Sequence, residues 1–227
     1  MRIRRSDASD SVVASWVGLA ICLLAPGLIL WGSSLGFFGK NHIFRIVGPE
    51  LGFWLVVLLV VYVVYRGERR GITSIGFGPL RFTSIIWGGA AAVLVIGISF
   101  VGAKLLGLQP PSSHLLKGVE RIPLWLRVVI VFTAGCIEEV LYRGYAISRL
   151  KELTGSKLIA AIVPLFVFVW YHYPFLGAGQ VLVVTVTGAI LTGLYLIRRD
   201  LVSNIIAHLA LDAPFFLLPL LINRLAN

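Results

Sequence analysis

Two adjacent glutamates, Glu138 and Glu139, lie in an apolar stretch with Arg143 one helical turn on. An ionisable side chain at the centre of a membrane helix costs at least ~2.5–3.5 kcal/mol on insertion scales. A cluster of three within one short segment therefore reads first as a functional site. His172, Asn204, His208 and Asp212 stand out further along, again among apolar residues. Carboxyl groups in an apolar cavity become stronger proton acceptors, so this set suits acid–base chemistry. The same residues could form an ion cluster that locks a bundle, or relay protons as in pumps. Two imidazoles and two carboxylates would also make a plausible zinc set, although no HExxH accompanies them.

The elements that must hold these residues are membrane helices. The chain has 227 residues, 58% of them hydrophobic and 13% charged, against about 25% charged in soluble domains. Its mean hydropathy is +0.94. Apolar runs at roughly 12–36, 49–66, 83–107, 122–146, 157–173, 180–197 and 201–222 suit the ~30 Å of a bilayer core. The expected fold is an all-α polytopic bundle of seven or eight spans, in a single membrane domain over 1–227. That domain divides into a basic N-terminus (1–11), three accessory helices (12–121) and a core (122–222).

Met1–Asp10 is basic, but the apolar run after it is too long for a signal h-region, so no cleavable signal is expected. With the N-terminus inside, the cytoplasmic segments hold 12 of the 20 lysines and arginines and the other side holds 7, Arg143 being in the site. That excess predicts a cytoplasmic N-terminus; the expected location is a prokaryotic plasma membrane. The net charge of +10 is then loop arginine facing anionic lipid, and no nucleic-acid partner is expected.

Depth and helical phase bring the polar residues together. Glu138 lies 17 residues before Gly155 and His172 lies 17 after it, so the two stand level in an antiparallel hairpin. His208 is 8 residues past the Arg198-Arg199-Asp200 break, roughly 12 Å deep. One layer, about a third of the way in from the cytoplasm, can hold them all. Glu139 and Arg143 are spaced i,i+4, as in an intrahelical ion pair. Glu138 is turned ~100° away and faces the cavity. His208 and Asp212 share one helix face by the same spacing, as do Phe168 and His172. Cys136 is ~200° around the helix from Glu138, which argues against a cysteine nucleophile. Cys22 and Cys136 have no metal or redox spacing. Trp125 and Trp170 read as belt or core residues, Phe168 as packing, and His42 and His114 as solvated.

Three patterns now stand in order: Glu138-Glu139-Val140-Leu141-Tyr142-Arg143, Phe168-Val169-Trp170-Tyr171-His172 and His208-Leu209-Ala210-Leu211-Asp212. Together they resemble the EExxxR, FxxxH and HxxxN/D motifs of the CPBP (Abi) family, the type II CAAX prenyl endopeptidases and their bacterial relatives. The resemblance covers about 122–222. It implies a helical membrane bundle opening towards the cytoplasm and hydrolysis of a peptide bond in or near the membrane. By that resemblance Glu138 is the general base for water and His172 helps to hold the water. His208 and Asp212 polarise the scissile carbonyl, and Glu139 and Arg143 support them. An Asn at the last position would donate to an oxyanion, whereas ionised Asp only accepts. Asp212 is therefore expected to stay protonated or to orient His208.

The resemblance implies no cofactor, with zinc on Glu138, His172, His208 and Asp212 as the alternative. The expected partners are a peptide or lipidated-protein substrate and membrane lipids. Nothing in the sequence identifies the substrate or the oligomeric state. A dormant version of the fold, serving as bacteriocin immunity protein or scaffold, is the non-enzymatic alternative. A transporter would be favoured by an inverted repeat, and none is visible.

Overall fold

In the computed structural model, residues 5–39, 41–108 and 113–219 are described, and among them the regular structure is helical. The Gln109–Ser112 break, Arg2, Arg4, Lys40 and Arg224, and the side chain of His114, lie outside the described residues. The helices are α1 (Arg5–Ser34), α2 (His42–Tyr62), α3 (Phe82–Leu106), α4 (Ser113–Glu120), α5 (Leu124–Glu138), α6 (Ser148–Thr154), α7 (Lys157–Arg198) and α8 (Leu201–Leu217). Five segments are long and apolar enough to cross a membrane: Ser9–Ser34, His42–Gly67, Phe82–Leu106, Lys157–Pro174 and Gln180–Arg198. Large apolar side chains ring the outside, Trp125 and Trp170 among them. Lipid around the bundle accommodates such a surface.

Two departures from regular helices shape the centre. Helix α7 is 42 residues long, yet it doubles back. A Cβ on Gly188 would stand 2.6 Å from Leu165 Cδ1 and 3.3 Å from Phe168 Cδ1. In a straight helix those positions would be roughly 30 Å or more apart. The arms Lys157–Pro174 and Gln180–Arg198 are therefore antiparallel neighbours, and Gly188 is the small residue that lets them close. Between α5 and α6 the chain winds more widely, with i→i+5 hydrogen bonding over Glu139–Ile147. All nine residues there are buried. Some of its carbonyls take side-chain donors, Leu141 from the Cys22 thiol (3.0 Å) and Gly144 from the Tyr195 hydroxyl (3.3 Å).

The basic end of the bundle is bonded shut. Arg149 grips Glu68 (2.6 Å) and Ser74 (2.8 Å), and Glu68 also accepts from Ser15 and Tyr145. Burial alone would raise the Glu68 carboxyl, but the hydrogen bonds and charge of Arg149, with Ser15 and Tyr145, hold it below its ordinary value. Arg70 pairs with Glu152 across the same end. The Tyr195 hydroxyl donates to the Ile75 carbonyl (2.8 Å), and the Leu201 N–H bonds Gly76 O (2.9 Å). Asp200 caps α8 and accepts from Ser84 on α3 (2.7 Å).

Helix α8 carries three of the polar residues, and α3 seats it. A Cβ on Gly88 would meet the Ser203 carbonyl oxygen at 2.7 Å and Ile206 Cβ at 2.9 Å, whereas Gly89 faces open space. Gly88→Ala is expected to lower stability by about 1–3 kcal/mol through overpacking. The measurement is thermal unfolding in detergent, with Gly89→Ala as a control that leaves the midpoint unchanged.

Candidate active site

Glu139 is wholly buried and holds three partners. Its Oε1 accepts from Arg143 (2.8 Å) and lies 2.7 Å from His208 Nδ1; its Oε2 accepts from the Asn204 amide (3.1 Å). Asn204 also donates to Leu191 O on the second arm of α7 (2.8 Å). Arg143 stacks over the Phe168 ring, 4.3 Å from its centroid, and reaches the Gly188 carbonyl. One carboxylate thus joins the wide turn, both arms of α7 and α8. The expected Glu139–Arg143 clamp is present, but Glu139 does more than support the arginine: it orients His208. Asn204 stood out in the sequence without a role. Its signal is spacing, because it precedes His208 by one helical turn on the same face.

The second group faces a cavity. Side-chain exposure is 24% for Glu138, 29% for His172 and 28% for Asp212, against 0% for Glu139 and 1% for Arg143. The adjacent glutamates therefore serve different environments, as their phase predicts. Glu138 lies 4.0 Å from His172 Nε2 and 3.6 Å from His208 Nε2. His208 Nε2 is also 3.5 Å from Asp212. His172 Nδ1 is 2.7 Å from the Phe168 carbonyl, and a carbonyl only accepts, so this nitrogen carries the proton. Neutral His172 then turns the Nε2 lone pair towards Glu138. Phe168 is packing, as expected, but it packs on the site itself: its ring centre is 4.5 Å from that of His172, 6.4 Å from His208 and 5.5 Å from Tyr142.

The cavity holds about 620 Å³. It is lined by Glu138, His172, His208 and Asp212, by apolar residues such as Phe53, Val95 and Phe215, and by Glu50, which sequence reasoning missed. The insertion cost of an ionisable residue in the second apolar run is the signal that could have found it. The cavity extends away from the basic end, towards Leu30, Ser99 and Phe216. At the basic end the Glu68–Arg149 network and Tyr195 occupy the interior.

Among the described residues no three His, Cys, Asp or Glu side chains gather in a way that could hold a metal ion.

Removing Glu139 leaves the Arg143 charge buried without its partner. Glu139→Ala is expected to cost about 3–5 kcal/mol in detergent unfolding. Glu139→Gln combined with Arg143→Met should restore much of that stability while leaving His208 without its carboxylate acceptor.

No curated protein and no solved structure matches the chain. Residues 120–214 match the family model described as type II CAAX prenyl endopeptidase Rce1-like. All three motifs lie within that segment, which is similar to the CAAX-type peptidases over those residues.

Proposed function

We propose that the protein is an intramembrane endopeptidase in which Glu138 activates water. The carrying observation is Glu138 itself, at the cavity wall beside two imidazoles, with a buried Oε2 that has no hydrogen-bond partner. The 4.0 Å between Glu138 and His172 suits one water bonded to both. Glu138 takes a proton from that water, and the oxygen adds to the scissile carbonyl.

His208 serves the oxyanion. Its Nδ1–H points at Glu139, while Nε2 faces carboxylate oxygens of both Glu138 and Asp212. Acceptors on both sides require a further proton on Nε2 or on one of those carboxyls. A proton on Nε2 makes His208 the donor to the developing oxyanion, with Asp212 protonated beside it as a second donor; such a donor is commonly worth ~3 kcal/mol of barrier. The proton held by Glu138 then passes to the leaving amine as the C–N bond breaks.

Two further helical segments complete a seven-span reading: Leu201–Leu217, and the run from Leu124 to Thr154 through the wide turn. The lysine and arginine excess supports a cytoplasmic basic end. The cavity then opens towards the opposite half of the membrane. All residues from the N-terminal helices to α8 are read as one domain, with the chemistry in 122–222.

Glu138→Gln is expected to abolish cleavage of membrane-reconstituted peptides without loss of folding, and equal cleavage by both proteins would defeat the reading. Asp212→Asn is expected to retain activity, because an amide supplies a donor at that position; complete loss would remove Asp212 from that role. Exhaustive chelation should leave activity intact, and one zinc per purified chain would overturn the metal-free reading.

A further inference from the structure

Among the described residues five buried side-chain atoms lack a hydrogen-bond partner: Glu50 Oε2, Ser99 Oγ, Arg127 Nε, Glu138 Oε2 and Asn204 Oδ1. Three of these residues, Glu50, Ser99 and Glu138, line the same cavity. Glu138 has a role in the chemistry. Glu50 and Ser99 do not, and leaving a buried acceptor unsatisfied is costly, more so when it is charged. Among the described residues the cavity is lined by three carboxyl residues, Glu50, Glu138 and Asp212, and by no lysine or arginine. Arg143 is spent on Glu139 behind the Phe168 ring. His208 Nε2 stands between Glu138 and Asp212, which leaves Glu50 as the carboxyl group with no cationic partner lining the cavity.

Position gives the register. Glu50 stands against Thr133, which in turn accepts the Trp54 indole N–H at 3.2 Å. Thr133 precedes Glu138 by five residues on α5, roughly 7.5 Å along the helix. An extended peptide advances ~3.3 Å per residue, so that distance is two or three residues of substrate. We propose that Glu50 forms a specificity subsite for a lysine or arginine side chain two or three residues from the scissile bond, with the Ser99 hydroxyl, which lines the same cavity, as a second acceptor. The apolar walls take the neighbouring side chains. The substrate class is thus an apolar peptide segment interrupted by one basic residue. This subsite rests on the peptidase reading above, and Glu50 acts by positioning, apart from the bond-making groups.

The test uses the full chain in lipid and fluorogenic apolar peptides identical except for one lysine walked along the sequence. Wild type should cleave the peptide with lysine two or three residues from the cut about tenfold or more better in kcat/KM than the lysine-free peptide, chiefly through KM. Glu50→Gln should lose that preference, with kcat/KM for the lysine peptide falling to that for the lysine-free peptide, and keep the wild-type melting temperature. Glu50→Lys should move the preference to a peptide carrying glutamate at the same position. Cleavage with no lysine preference, or a preference that survives Glu50→Gln, overturns the subsite and leaves the peptidase standing. A parallel binding measurement with the same peptides separates the other case. With no cleavage of any peptide, tighter binding of the lysine peptide that Glu50→Gln abolishes would sink the peptidase reading and support the subsite; absence of that difference would sink the subsite too.

Discussion

The arrangement depends on one buried charge, the Glu139 carboxylate. In a lipid-surrounded bundle a lone carboxylate is among the costliest groups to bury. Glu139 is tolerated because Arg143, His208 and Asn204 each supply a proton to it. Those partners come from the wide turn and from α8, and Asn204 and Arg143 reach on to carbonyls of the second arm of α7. Satisfying one anion therefore fixes three helical segments relative to one another. His208 is held as a by-product, with its second nitrogen left facing Glu138 and Asp212. A partly satisfied network of this kind would be worse than an apolar core, which ties the geometry of the site to the packing of the fold.

Much of this was legible in the sequence, for a simple physical reason. A helix rises by a constant 1.5 Å per residue, so distances from turn residues convert to depth. Counting from Gly155 and Asp200 set Glu138, His172 and His208 level, and the structure brings both histidines within 4.0 Å of Glu138. Helical phase likewise separated the two glutamates into a cavity-facing and a buried one. The fold-back near Pro174 agrees with the two apolar runs on either side of it.

What escaped was side-to-side placement. Depth gives no information about which helix is whose neighbour, so the partnership of Glu68 with Arg149, 81 residues apart, left no local trace. Without that partnership the bonded end of the bundle could not be told from the cavity end. Glu50 escaped for a related reason, since no second polar residue lies one turn away to mark a face. The wide winding over Glu139–Ile147 also has no compositional signature, because it answers to donors on other helices, such as Cys22 and Tyr195.

The bonded basic end and the cavity share one bundle, so the ties that hold the first leave the second with walls that are mostly apolar. On the peptidase reading proposed above, water and peptide would compete for that space, and a segment that filled it completely would shut out the water needed to cut it. The tightest binders would then be occupants more than substrates, and looseness of fit would matter to turnover as much as affinity along the walls.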